Sequence, residues 1–494
     1  MVSVVYVSLG FAYEFRWGPI VRHVPSSWIA PGDLLSDYGT AIQFATGHFS
    51  AVYQPGRGFL SYPGLLLALA PLAAINNIFH GSWIDIKVHG QLVAHPQVFL
   101  APQLPSGFWY QGNLGPSTTH GIEQVIQPSA YPYLVFLSLA YSCLALFACD
   151  ALAERLQVPH SRRAVLAAAE AAVLWNVTII FGHPEDAVAV AFAVYALIFA
   201  MDGRFVGAGW LFGIALAFQP LSLMALPLLL FIGGKERALG LVARGVAPAA
   251  VLTAPPFIAN FHGAIRQLVS QPTFPKVSTG RTTPWTFLAP KLGGKGKGAA
   301  VGGGPPRIAV VVIAAAFGAW ARRWRERPEM LAWALAVALS VRIYFETVMY
   351  SYYIWPALAV AMVVAARGRP WRFGIAVVLA VALTVVTQWH MSWVRWWLIV
   401  VVGITGVLVA ASRPQALMEL PRSQRPARAA TSAPRRARAT RAAKDRGAAV
   451  TARRQVVASG RSGAAKANGQ TPARAKSSKK GAAARTGAKR SPRR

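Results

Sequence analysis

The sequence predicts an all-α fold, a polytopic integral membrane bundle of about 11–13 transmembrane helices. Three observations predict it. Of 494 residues, 54% are apolar and only 14% charged. Runs of roughly 15–22 apolar residues recur from end to end, the length at which a helix crosses a hydrocarbon core. Short basic clusters alternate with those runs, as they do where a chain weaves across a bilayer. Without water to bond to, the backbone must satisfy its own polar groups, so each run is expected to be a helix.

Taken in order, the runs place spans near 131–152, 164–181, 187–201, 205–219, 221–234, 239–260, 307–321, 329–345, 353–366, 373–389 and 394–412. A shorter run, MVSVVYVSLGFAYEF, opens the chain. Its roughly 15 residues are short for a span, so the true first helix is expected to begin upstream. No basic segment precedes it and no small-residue cleavage site stands out, which argues against a secretory signal. The bundle is assigned to residues 1–412, with long external loops at 15–130 and 261–306. Cys143 and Cys149 share one apolar run, which excludes a disulfide framework.

The net charge of +33 is unevenly spread. Residues 413–494 hold 23 of the 50 Lys and Arg, against the acids Glu419 and Asp445 alone. Rich in Ala, Arg, Lys, Ser and Pro, this tail lacks the large apolar residues that build a core and is expected to be disordered. Anionic lipid headgroups or other polyanions are its expected partners.

Basic clusters at 154–163, 202–204, 234–237, 321–328 and 367–372, with the tail, all fall on one side of this arrangement. The positive-inside rule makes that side cytoplasmic and puts the protein in the cell membrane. The other, external side receives GHPEDA (182–187), QPLS (219–222), the loop 261–306, ETVMYSYY (346–353) and QWHMSW (388–393). The segment 59–79 is ambiguous, and Pro63 and Pro71 favour a surface or re-entrant helix over an uninterrupted span.

Chemistry is expected first at residues 31–73. Asp33 and Asp37 are one helical turn apart and would share a helix face. Asp33 also reads as a helix cap, being placed after Pro31 and Gly32. Tyr38, Phe44, Phe49, Tyr53, Phe59 and Tyr62 suit an amphipathic helix at the membrane interface. An Asp opening an external loop, an Ala-containing helix with Gly and Tyr, then SYPG and LAPLA, resembles the GT-C glycosyltransferases. The likeness is strongest to bacterial polyprenol-phosphate-mannose-dependent mannosyltransferases. GHPEDAVAVAFAVYAL, GRFVGAGWLFGIALAFQPLSLMALPLLL and YYIWPALAVAM resemble the same group, so the likeness covers most of residues 1–412 and excludes the tail. It implies that Asp33 is the catalytic acid of the first external loop, with Asp37 in reserve. It also implies a polyprenyl-phosphate sugar as donor, with no separate cofactor.

The chemistry has independent physical logic. Glycosyl transfer needs a base for the acceptor hydroxyl, and cations or donors for the phosphate that leaves. In GHPEDA, His183, Glu185 and Asp186 stand at a helix junction. The acids read either as first-turn partners of the helix dipole or as a pocket for acceptor hydroxyls, which would also employ His183. Gln219, ending a helix on the same side, is a further sugar-hydroxyl candidate. Arg342 and Glu346, at i and i+4, read as an intrahelical pair or as a site where Arg342 meets the lipid phosphate. The loop 270–298 supplies Lys276 and Arg281, with Lys291 and Lys295, and reads as a lid or as a solvated loop. Tyr350, Tyr352 and Tyr353 read as sugar-stacking groups or as an interfacial aromatic belt. No ligand cluster argues for a metal, and no nucleotide-binding motif stands out.

The leading expectation is a glycosyltransferase moving a hexose, mannose by the resemblance, from polyprenyl phosphate to an envelope glycolipid or glycan. The rival is a transporter or lipid-linked-sugar flippase, although no repeat symmetry marks one. A membrane anchor for a nucleic-acid-binding tail would leave the bundle unexplained. On the leading expectation, a chain ending at Ser412 folds and retains transfer activity in isolated membranes. Loss of in-vitro activity on truncation would place part of the machinery in the tail.

Overall fold

The computed structural model describes residues 1–13, 32–53, 62–80, 84–88, 91–94, 122–126, 131–265, 273–274, 281–288, 299–300, 305–389 and 391–412. The tail 413–494 and Lys276 lie outside them. The described residues form helices α1 (Val2–Ala12), α2 (Gly32–Ala45), α3 (Gly64–His80), α4 (Tyr131–Arg155), α5 (His160–Trp175), α6 (Pro184–Met201), α7 (Phe205–Phe218) and α8 (Leu226–Gly233). They continue with α9 (Lys235–Ala259), α10 (Phe261–Ile265), α11 (Pro305–Ala321), α12 (Pro328–Phe345), α13 (Trp355–Arg367), α14 (Pro370–Val386) and α15 (Trp393–Ala411).

Among the described residues, seven helices are long and apolar enough to cross a membrane: Tyr133–Arg155, His160–Ile180, Pro184–Met201, Lys235–Ala259, Pro305–Trp324, Pro328–Phe345 and Trp393–Ala411. Shorter apolar helices fall at the other expected spans from 205 to 389. Two of those spans begin irregularly, as short 3-10 segments at Pro220–Ala225 and Ser351–Ile354.

Strands add to the helical expectation. Three of them, Ile84–Val88, Gln91–Ala94 and Ile122–Ile126, form an antiparallel sheet with the first in the middle. The alternation Ile-Asp-Ile-Lys-Val explains why this part of the first long loop pairs as a strand.

Helix α13 organises the bundle. Every residue from Trp355 to Ala366 is buried, as befits a helix apolar on all faces. It packs against α4, α5, α6, α12, α14 and α15. Small residues let other helices approach closely. Gly209 and Gly213 of α7 lie against Leu241, Arg244 and Pro248 of α9, a small-xxx-small contact of the kind that membrane helices favour. Cys143 and Cys149 are buried free thiols.

The basic loops meet at one end of the helices. Arg155 bonds Asp202 through Nε and Nη2 at 3.0 and 2.9 Å. Arg162 donates to the Ala366 and Gly368 carbonyls at 3.0 and 2.7 Å. Arg372 reaches the Val409 carbonyl at 2.5 Å. Arg237 lies over the Phe205 ring, and Gly233 packs on that same ring. The far ends of α6 and α13 therefore carry the 183–186 and 350–354 segments together.

Three expectations about the first long loop change. Tyr38 and Tyr53 do not face outward but are buried at 2% and 0% exposure. Pro71 does not interrupt its helix, and α3 runs unbroken from Gly64 to His80. Leu65, Leu66, Leu69 and Ala73 of α3 are buried, and the Tyr141 hydroxyl donates to the Ala68 carbonyl at 2.9 Å. Finally, α2 already includes Gly32, so Asp33 stands within its first turn and not in front of it.

Gly64 gives a test of this packing. A Cβ there would lie 2.5 Å from the Ala217 carbonyl oxygen. Gly64→Val is expected to cost about 1–3 kcal/mol by overpacking, read as a lower melting temperature in detergent. Gly39, with nothing within 4 Å of its would-be Cβ, is the contrast: Gly39→Ala should be neutral or gain about 0.5–1 kcal/mol.

Candidate functional site

The site grows from the start of α6. Gly182 adopts φ 72°, a left-handed turn that glycine permits, and it reverses the chain so that His183 caps α6. The cap is backbone only, for the His183 side chain makes no capping bond. Its Nδ1 instead lies 2.5 Å from Oε1 of Glu185. Its ring stacks on Tyr352 at 4.1 Å between centroids and 26° between planes. The other Glu185 oxygen, Oε2, is sealed from solvent and has no hydrogen-bond partner among the described residues.

Asp186 is buried beside it, at 3% exposure. Gln219 donates to its Oδ1 through Nε2 at 2.6 Å. Gln219 can do this because α7 ends at Phe218 and Gln219 turns to extended backbone. Gly64, at the start of α3, packs on the Ala217–Phe218 backbone, which brings the start of α3 to the same place.

Arg342 joins the parts. Its Nε bonds Glu346, and its guanidinium lies 3.9 Å over the Tyr353 ring. The side chains of Arg342 and Glu346 are only 19% and 8% exposed. Arg342 acts electrostatically on Asp186, so the α6 acids and the α12 pair belong to one neighbourhood. Arg342 and Glu346 also interact with Arg307, which in turn interacts with Tyr62. Burial raises the Tyr62 phenol above its ordinary value, and the Arg307 charge pulls the other way.

Part of the second long loop is clasped onto this cluster. Arg281 and Thr282 pair as a two-residue strand with Met349 and Val348. The Thr283 hydroxyl donates to the Glu346 carbonyl at 2.6 Å, and the Thr286 hydroxyl to the Thr347 carbonyl at 2.5 Å. Trp285 donates through Nε1 to the Tyr344 carbonyl at 2.6 Å. Asn260, where the loop begins, donates to the Ser50 carbonyl of the first long loop at 3.0 Å.

The structure thus brings together His183, Glu185, Asp186, Gln219 and Arg342, and sets the backbone of Arg281 against the segment that follows Glu346. Asp33 and Asp37 share α2 at the expected one-turn spacing, but the Asp33 side chain lies outside the described ones, and Asp37 is half-buried. Tyr352 and Tyr353 turn into the cluster, toward His183 and Arg342, and do not form an outward aromatic belt. Arg307 escaped the sequence reading because it opens an apolar run and looks like a boundary residue. Its signal was the unbroken Pro-Pro-Arg start, since a charge at a helix mouth needs a partner.

No protein-family model matches this chain, and no curated protein matches it.

The Arg342–Glu346 pair gives a stability test. Removing one partner of a mostly buried pair costs about 3–5 kcal/mol, whereas replacing both by apolar groups can be neutral. Arg342→Met should therefore lower the melting temperature in detergent sharply. The double variant Arg342→Met, Glu346→Leu should regain most of that loss.

Proposed function

We propose that this chain is a membrane glycosyltransferase. It would move a hexose, mannose on the resemblance, from a polyprenyl-phosphate donor to a lipid or glycan acceptor of the cell envelope. The observation that carries this reading is that two kinds of chemistry gather around Arg342. One is an imidazole and two carboxylates, groups suited to polar hydroxyls and to protons. The other is Arg307 with Tyr62, which with Arg342 suit a phosphate leaving group.

Two positions supply a proton acceptor. One is Asp33, which the resemblance implies, with Asp37 in reserve. The other is the group at the start of α6. Gln219 orients Asp186 for acceptor hydroxyls, and the backbone of Arg281 is held against the segment that follows Glu346. On this reading the active face is external, the basic loops and the tail are cytoplasmic, and the tail rests on anionic headgroups. The donor is lipid-borne and already activated, so the reading needs no nucleotide-sugar domain.

One observation favours the transporter reading instead. Glu170 is buried at 1% exposure in the middle of a helix long and apolar enough to span, and neither carboxylate oxygen has a hydrogen-bond partner among the described residues. Buried acids of this kind mark proton and ion paths in transporters.

Transfer of label decides between them. Membranes from cells expressing the chain are incubated with radiolabelled polyprenyl-phosphate mannose and extracted for labelled glycolipid and glycan. The enzyme reading expects label in an acceptor, and a drop of about 10²-fold or more for Arg342→Gln, the scale of losing one group that stabilises developing charge. Label that crosses vesicles without entering any acceptor would establish the transporter.

A further inference from the structure

We propose that Glu170 is a proton-binding site in the interior of the bundle, and that the helices around it are packed for the neutral acid. The inference rests on neither the transferase nor the transporter reading.

Placement comes first. Glu170 is the middle residue of His160–Ile180, a segment of 21 residues long and apolar enough to cross a membrane. At about 1.5 Å per residue, roughly 15 Å of helix separates it from either end. It lies on the face of α5 that also buries Leu166, Ala169, Val173 and Leu174, and it is itself 1% exposed. Both carboxylate oxygens are sealed from solvent, with no hydrogen-bond partner among the described residues.

Helix α5 packs against α1, α4, α13 and α14, whose titratable and charged groups answer to other partners or lie at helix ends. From α4 the buried Cys149 thiol interacts with Glu170, but a thiol is uncharged at neutral pH. Asp150 and Glu154 pair with Arg163 at 2.6 and 3.3 Å, and Arg155 with Asp202 at 2.9 Å. Arg162 holds the Ala366 and Gly368 carbonyls, and Arg372 of α14 holds that of Val409. Tyr133, His160 and Arg367 are exposed. Tyr141 donates to the Ala68 carbonyl and Cys143 to that of Ser3. Tyr6 of α1 is buried beside Thr178, about two turns beyond Glu170.

A carboxylate so placed would be an isolated charge in an apolar interior, far costlier to bury than the neutral acid. A metal cation would need several oxygen ligands. Among the described residues no group of three or more His, Cys, Asp or Glu could hold one. A proton needs a single lone pair. The site also ends with Glu170 itself. Thr178 donates to Ser142 at 2.8 Å, and Ser142 to the Ser138 carbonyl at 2.8 Å, so those hydroxyls satisfy one another and do not extend a row to the acid.

Folding then takes up one proton from neutral solution, because the same carboxyl on an unfolded chain is ionised there. The folded state binds the extra proton, so stability falls as pH rises, by about tenfold in the folding equilibrium per pH unit. The slope persists until the folded site gives up its proton.

The test uses the full chain in detergent beside Glu170→Gln, which keeps the shape and carries no acid. The infrared difference between them at neutral pH should show the carbonyl stretch of a protonated carboxyl in wild type alone, shifted in deuterium oxide. Denaturant unfolding at a series of pH values above about 5 should show wild type losing about tenfold per unit relative to Glu170→Gln. Glu170→Leu is the second reference, since an apolar side chain suits a pocket without partners, and it should fold with the same flat pH response as Glu170→Gln. Absence of the protonated-carboxyl band from wild type overturns the proposal. So does a pH dependence of unfolding that wild type shares with whichever of the two variants folds.

Discussion

The site depends on the Arg342–Glu346 pair. Charges in a helix of this apolar character cost too much to stand alone, so each must be answered by another within reach. Arg342 sits in the last turn of α12, and Glu346 lies just past its end, where the backbone turns extended. That turn frees the carbonyls of residues 344, 346 and 347 from the helix. Three side chains of the second long loop then satisfy them. One ion pair thus fixes a helix end, and the helix end recruits a loop. Tyr353, under the guanidinium, carries the same constraint into the turn that opens α13.

Helix α13 transmits the constraint in the other direction. Its burial on every face leaves it no lipid-facing side, so its position is set by six neighbours at once. Tyr352, one turn before it, is thereby held against His183. The candidate site is then the meeting of two rigid parts: the start of α6 with its own acids, and the α12–α13 junction with its cation and aromatics. Gln219 and Gly64 bring in a third, the end of α7 against the start of α3.

Much of this was legible in the sequence, for physical reasons that differ by residue. The helices were legible because hydrocarbon leaves the backbone one solution. His183, Glu185, Asp186 and Gln219 were legible because polar residues at the ends of apolar runs need an explanation. The Arg342–Glu346 contact followed from i,i+4 spacing alone. What the sequence withheld depends on packing. Nothing local says that Tyr352 turns inward to His183, that Arg307 stands near Tyr62, or that Tyr38 and Tyr53 are internal. The sheet around Ile84–Val88 went unread because five alternating residues are a weak signal beside so many helical ones. Glu170 was hidden for the opposite reason: one acid in an Ala-rich run reads as tolerable until it is seen buried, with no hydrogen-bond partner among the described residues.

The length of α13 has a consequence of its own. Thirteen residues at about 1.5 Å each give roughly 20 Å of helix, some 10 Å less than a typical hydrocarbon core. The 3-10 turn at Ser351–Ile354 occupies part of the difference, with irregular backbone tolerated because protein surrounds it. Tyr352 in that turn is accordingly buried against protein, and the imidazole stacked on it shares that shelter.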